Sequence, residues 1–159
     1  MTTPTIFDSL TTEQGEIEAL FRRLLRARSI ETARERFRAL STRVVALVRT
    51  ERLVVYPHLA AIPGLAEEVA AARAKHAEIE SVIGHLRLAS IDAEAWFLKA
   101  ADLHIQYREL IAIEECALFP VARLTLATDV AAKLERDFAS MGADSAQVAC
   151  VSITYELAS

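Results

Sequence analysis

Cysteine is scarce in this chain. Cys116 and Cys150 lie far apart and form no CxxC pair, which argues against a disulfide framework and a cysteine-ligated zinc site. Four glycines and four prolines are too few for a loop-rich or all-β protein. The glycines stand singly at 15, 64, 84 and 142, so no GxGxxG or Walker pattern exists, and no nucleophilic triad is apparent. No apolar run approaches the ~20 residues of a membrane span. Met1 to Leu10 lacks a basic region followed by an apolar stretch, so no signal peptide is expected and a cytoplasmic protein is the default. The formal net charge is −4, which offers no electrostatic footing for nucleic acid.

What is present is helical material. Apolar residues make up 53% of 159, enough for the core of one domain spanning 1–159. Ala, Leu, Glu and Arg, all strong helix formers, dominate. Leu10, Gln14, Ile17, Phe21 and Leu24 recur at three- and four-residue steps, predicting a helix over about Asp8 to Arg28. A second is predicted from about Glu31 to Tyr56, with Leu40, Val44, Leu47, Glu51 and Val54 inward and with Pro57 and then Pro63-Gly64 ending it. A third runs from Leu65 to Leu88, with Val69, Ala72, His76, Ile79, Ile83 and Leu86 inward. A fourth, N-capped by Asp92, runs to Phe119 with Leu103, Tyr107, Leu110, Glu114 and Ala117 inward, and Pro120 ends it. A shorter helix follows from about Asp129 to Met141, and Gln147 to Leu157 reads as an extended apolar segment. The Arg-rich stretch from Arg22 to Arg38 reads as a solvated, salt-bridged end or a docking surface.

The chain also repeats itself. Gln14-Gly15-Glu16-Ile17-Glu18 matches His76-Ala77-Glu78-Ile79-Glu80 at a step of 62 residues. Leu47-x-x-x-Glu51-x-x-x-Val55-Tyr56-Pro57 matches Leu110-x-x-x-Glu114-x-x-x-Leu118-Phe119-Pro120 at a step of 63. Two similar helical hairpins pack most simply as an up-down-up-down four-helix bundle over residues 8–120, with 121–159 as an appended helix and tail. A pseudo-twofold axis then sets Gln14 against His76, Glu51 against Glu114, and Leu47 against Leu110.

Each inner seam thus carries one polar residue: Gln14, Glu51, His76 or Glu114. An unpaired buried carboxylate costs several kcal/mol, so these groups need a partner, a proton, water or a cation. Carboxylates and a His converging from facing helices suit a metal with oxygen and nitrogen ligands. The candidate ligands are Glu51, His76, Glu114, Gln14 and Glu80; Leu47, Leu110, Tyr107 and Glu18 would line the pocket. Iron, manganese or zinc suits the set. Plainer readings stand beside this one. Gln14 can cap a helix that starts at Thr11, Glu51 can pair with Arg43 or Arg108, and the Tyr107 hydroxyl can bond a seam carboxylate. Glu18 and Glu80 read as solvated flanks, and His58, His85 and His104 as surface residues.

On these residues the chain resembles the hemerythrin-like (HHE cation-binding) family, four-helix bundles with a non-haem di-iron centre. The family pattern is a His on the first helix and His-x-x-x-Glu on the second, repeated on the third and fourth, each Glu followed by an aromatic-Pro end. Glu51 with Tyr56-Pro57, Glu114-Glu115 with Phe119-Pro120, and His76 match it over roughly residues 8–120. Gln14, Leu47 and Leu110 stand where three further histidines are expected, and Glu80 where some members carry another. The resemblance implies the fold and a cation centre of one or two ions, iron first, with sensing, storage or redox protection as its role. The missing histidines argue against an oxygen-carrying di-iron pair. Two other readings remain: a metal-free relative that binds a small ligand or a protein partner, and an enzyme that reuses the centre for acid/base chemistry.

Overall fold

A computed structural model describes residues 4–88 and 91–141, and no strand occurs among them. The extended segment expected at Gln147–Leu157 lies outside the described residues. Helix α1 spans Ile6–Leu25 and α2 spans Ile30–Thr50. A π-helical turn over Glu51–Val55 carries α2 on into α3, Tyr56–Ala60. Helix α4 spans Ala66–Leu86, and α5 spans Ala93–Ile113. A second π-helical turn, Glu114–Leu118, leads from α5 into α6, Phe119–Thr125. Residues 128–141 are helical as well.

The ends of these helices follow from local chemistry. Thr5 and Asp8 form a reciprocal capping box, so α1 starts before Thr11 and Gln14 lies in mid-helix, free of any capping duty. Ser29 caps α2 through the Thr32 amide, and Asp92 caps α5 through the Ala95 amide. Gly64, at φ 88°, supplies the left-handed residue that closes the turn before α4.

The two prolines act differently from the expected stops. Pro57 and Pro120 lack the N–H that an α-helix needs, and their rings crowd the carbonyl four residues back. Here the helix widens instead of ending. The Tyr56 amide bonds the Glu51 carbonyl, and the Phe119 amide bonds the Glu114 carbonyl, each across five residues. The chain then continues helically to Ala60 and Thr125. The extra residue also moves the inward register. Val55 and Leu118 are fully buried, whereas Val54 and Ala117 are only partly so.

The four long helices form a ring. Helix α1 packs on α2 and α5, and α4 packs on α5 and α2, which is the up-down-up-down bundle. Its core takes Leu10, Ile17, Phe21 and Leu24 from α1, Leu40, Val44 and Leu47 from α2, Ile79 and Ile83 from α4, and Leu103 and Leu110 from α5. Each such side chain stabilises the fold by about 1.5–3 kcal/mol through its burial. Trp96 closes one end, donating from Nε1 to the Leu86 carbonyl at 3.0 Å. The helical residues 128–141 lie against α1, with Leu134 buried and Glu135 accepting from Ser9 Oγ at 2.7 Å. No described helix is long and apolar enough to cross a membrane.

Candidate metal centre

The polar positions of all four seams meet in one layer. Gln14, Glu51, His76 and Glu114 are the buried polar side chains at its centre. One ligand atom from each of Glu51, His76 and Glu114 lies within 4.8 Å of the other two. Gln14 Nε2 donates to Glu114 Oε2 at 2.6 Å. His76 Nε2 lies 3.1 Å from Glu51 Oε2. These contacts occupy matching places in the two hairpins, Gln14 with Glu114 and His76 with Glu51.

Tyr56 joins the two contacts. Its hydroxyl donates to Glu114 Oε1 at 2.5 Å and lies 3.1 Å from His76 Nε2, with the rings stacked at 4.9 Å. The result is a continuous polar chain running Gln14, Glu114, Tyr56, His76, Glu51. Three buried atoms in it have no hydrogen-bond partner among the described residues: Gln14 Oε1, Glu51 Oε1 and His76 Nδ1.

Burial dominates the electrostatics. It pushes the Glu51 carboxyl up to about 8. Glu114 is raised well above its ordinary range by burial first and by the charge of Glu51 second. His76 falls to about 4, because burial and then the Arg52 guanidinium disfavour the imidazolium. Burial, followed by the charges of Glu51 and Glu114, raises the Tyr56 phenol. Near neutral pH the layer therefore holds carboxyl protons and a neutral imidazole. A cation would replace those protons, and a neutral imidazole is the form that ligates.

The spacing fits one ion. Carboxylate and imidazole ligands sit about 2.1 Å from a metal, so two ligands at right angles lie about 3.0 Å apart. The 3.1 Å separation of His76 Nε2 and Glu51 Oε2 matches such an edge. One turn before each glutamate, Leu47 and Leu110 are buried on the same face. They put hydrocarbon where two further nitrogens would stand.

A family model described as the hemerythrin HHE cation-binding domain matches residues 5–122. The chain belongs to this family. Comparison with curated proteins and with solved structures gives no match.

The remaining candidates of this HHE domain lie outside the layer. Glu80 faces the flank, where Arg52 Nη1 and Nη2 each donate to it at 3.1 Å. Glu18 pairs with His104 Nε2 at 2.9 Å, and His104 stacks on Phe21. His104 is thus half-buried, unlike the exposed His85. Arg43 engages Glu13 and Glu16, leaving Glu51 with no arginine partner. The Tyr107 hydroxyl donates to the Gln14 backbone carbonyl at 3.0 Å, not to a seam carboxylate. Tyr107 therefore fixes the height of α1 in the layer.

Tyr56 is the residue that helical periodicity passes over. Five residues of α-helix turn through about 500°, which leaves residue 56 about 140° from residue 51. The π-helical turn brings it back over Glu51. The signal that points to it is the Glu-x-x-x-x-aromatic-Pro ending shared by both hairpins.

Proposed function

We propose that this HHE domain binds a single hard or borderline cation between Glu51, His76 and Glu114, with iron first and manganese or zinc as alternatives. The observation that carries this reading is the meeting of three ligand atoms within 4.8 Å in a fully buried layer, two of them on carboxyls that no Lys or Arg among the described residues pairs with. Gln14 would hold Glu114 in place and could turn its unpartnered Oε1 inward. Arg52 keeps Glu80 out of the layer and so limits the number of carboxylates. The cation would serve as a Lewis acid or a redox centre. Sensing, storage or redox protection follow from the family as roles, in which the buried layer would shield the ion from exchange.

Elemental analysis of the protein, as purified and after reloading with ferrous iron, manganese or zinc, tests the reading. One ion per chain is expected. Protein that carries none and takes up none of the three would refute it.

A second reading rests on Leu47 and Leu110: the layer is satisfied by its own protons and serves as a structural core in a metal-free relative. In that case Glu51→Gln with Glu114→Gln leaves stability equal or improved, since neutral amides replace neutral carboxyls. Under the cation reading the same double variant loses all metal-dependent stabilisation.

A further inference from the structure

The phenol oxygen of Tyr56 lies inside the ligand cluster. It stands 3.1 Å from His76 Nε2 and 2.5 Å from Glu114 Oε1. The first distance equals the separation of His76 Nε2 from Glu51 Oε2, the edge between two of the assigned ligands. The side chain is fully buried, so its oxygen has no solvent alternative. The hydroxyl is particular to this hairpin. Phe119, at the matching place in the other hairpin, packs against Phe7 with ring centroids 5.2 Å apart and carries none.

Charge points to the kind of ion. Glu51 and Glu114 as carboxylates and His76 as neutral imidazole balance two positive charges. A phenolate adds a third anionic oxygen, so the four-residue set balances three. In a layer this deeply buried, an unbalanced charge costs several kcal/mol. Oxygen-rich, anionic sets favour hard cations, and a phenolate is a known protein ligand to iron.

We propose that Tyr56 is a fourth protein ligand, binding ferric iron through its phenolate oxygen. This rests on the single-cation reading of the same layer. On coordination the Tyr56 O–H bond breaks, its proton leaves to the buffer together with those held by Glu51 and Glu114, and the phenolate oxygen lone pair forms the bond to iron. No electron is transferred, because the iron is supplied already oxidised.

The test is addition of ferric nitrilotriacetate to the metal-free 159-residue chain. Bound iron is counted, the visible spectrum recorded, and resonance Raman spectra taken with excitation in the visible band. Wild-type protein is expected to bind one iron and to show a phenolate-to-ferric charge-transfer band with enhanced phenolate ring modes. Tyr56→Phe should lose the band and bind ferric iron at least tenfold more weakly. Tyr107→Phe and Tyr155→Phe should keep the band. One bound iron without phenolate modes overturns the Tyr56 assignment and leaves the cation reading intact. A band that survives Tyr56→Phe does the same. No bound iron in the wild type, with no uptake of manganese or zinc, overturns both. Absence of phenolate modes from the wild-type Raman spectrum overturns the assignment even if a variant folds poorly.

Discussion

The two hairpins of the bundle place matching side chains at matching heights and differ where chemistry is decided. Both end in a glutamate, a π-helical turn and an aromatic-proline pair. Both set a polar residue of the preceding helix against the glutamate of its neighbour. His76, however, holds a metal-competent nitrogen 3.1 Å from Glu51, whereas Gln14 presents an amide N–H to Glu114 at 2.6 Å. Tyr56 brings a hydroxyl into the layer, whereas Phe119 brings only a ring. The ligating and supporting groups are therefore divided between the hairpins: the first brings Glu51, Tyr56 and the Gln14 amide, the second His76 and Glu114. A symmetric scaffold can thus carry an asymmetric centre of one ion.

Exchanging the matched residues breaks this contrast most severely. His76→Ala should abolish stoichiometric metal binding, because it removes the layer's one nitrogen ligand. Gln14→Ala should weaken binding by about 10–100-fold, the usual cost of losing a group that orients a ligand. Metal titration of both variants checks this, and equal losses would contradict the asymmetry. The reverse experiment supplies the three histidines that the layer lacks. Gln14→His with Leu47→His and Leu110→His should raise the capacity from one ion to two in native mass spectra. The metal-free triple variant should be less stable by about 1–3 kcal/mol for each imidazole left unpaired.

Truncating the hydrocarbon that replaced the histidines gives the next effect. Leu47→Ala and Leu110→Ala should each destabilise the protein by about 2–5 kcal/mol in urea unfolding, as buried leucines do. Comparable losses are expected from the two sites, since both are buried in corresponding places.

A smaller effect is expected from pH. Folded Glu51 keeps its proton up to about 8, whereas the unfolded side chain releases it near 4.5. Its contribution is full below 4.5 and is lost as pH rises through 8, and Glu114 acts in the same sense. His76, lowered to about 4 from 6.5, stabilises above 6.5 and loses that contribution as pH falls toward 4. The two effects oppose one another between 4.5 and 6.5. From 6.5 to 8 only the glutamates act, so the metal-free protein should lose on the order of 1–2 kcal/mol through Glu51 over that interval, with Glu114 adding to the loss. The metal-loaded protein, its carboxyls already deprotonated, should show no such loss. Chemical denaturation of both forms at pH 6.5 and 8 measures the difference. The flank pairs come last. Glu80→Ala and Glu18→Ala should shift stability by about 0–1 kcal/mol and leave metal content unchanged.

Much of this arrangement is legible in the sequence, for identifiable reasons. Three- and four-residue spacing places the core of every long helix. The near-equal steps from Gln14 to His76 and from Glu51 to Glu114 set all four polar side chains at one height. Two features escape that logic. Pro57 and Pro120 look like stops, because the ordinary response to a missing amide is to end the helix. A π-helical turn accommodates them here instead, and it swings Tyr56 into the layer. Glu80 looks like a ligand because it follows His76 by one turn. Its fate depends on Arg52, which belongs to another helix and is out of reach of any single-helix pattern.

The central claim, one cation held by Glu51, His76 and Glu114, is tested most directly by native mass spectrometry of the reloaded protein. The wild type is expected at the mass of one chain plus one ion, and Glu51→Gln with Glu114→Gln at the mass of the bare chain. A wild-type chain that carries two ions, or none, would contradict the account.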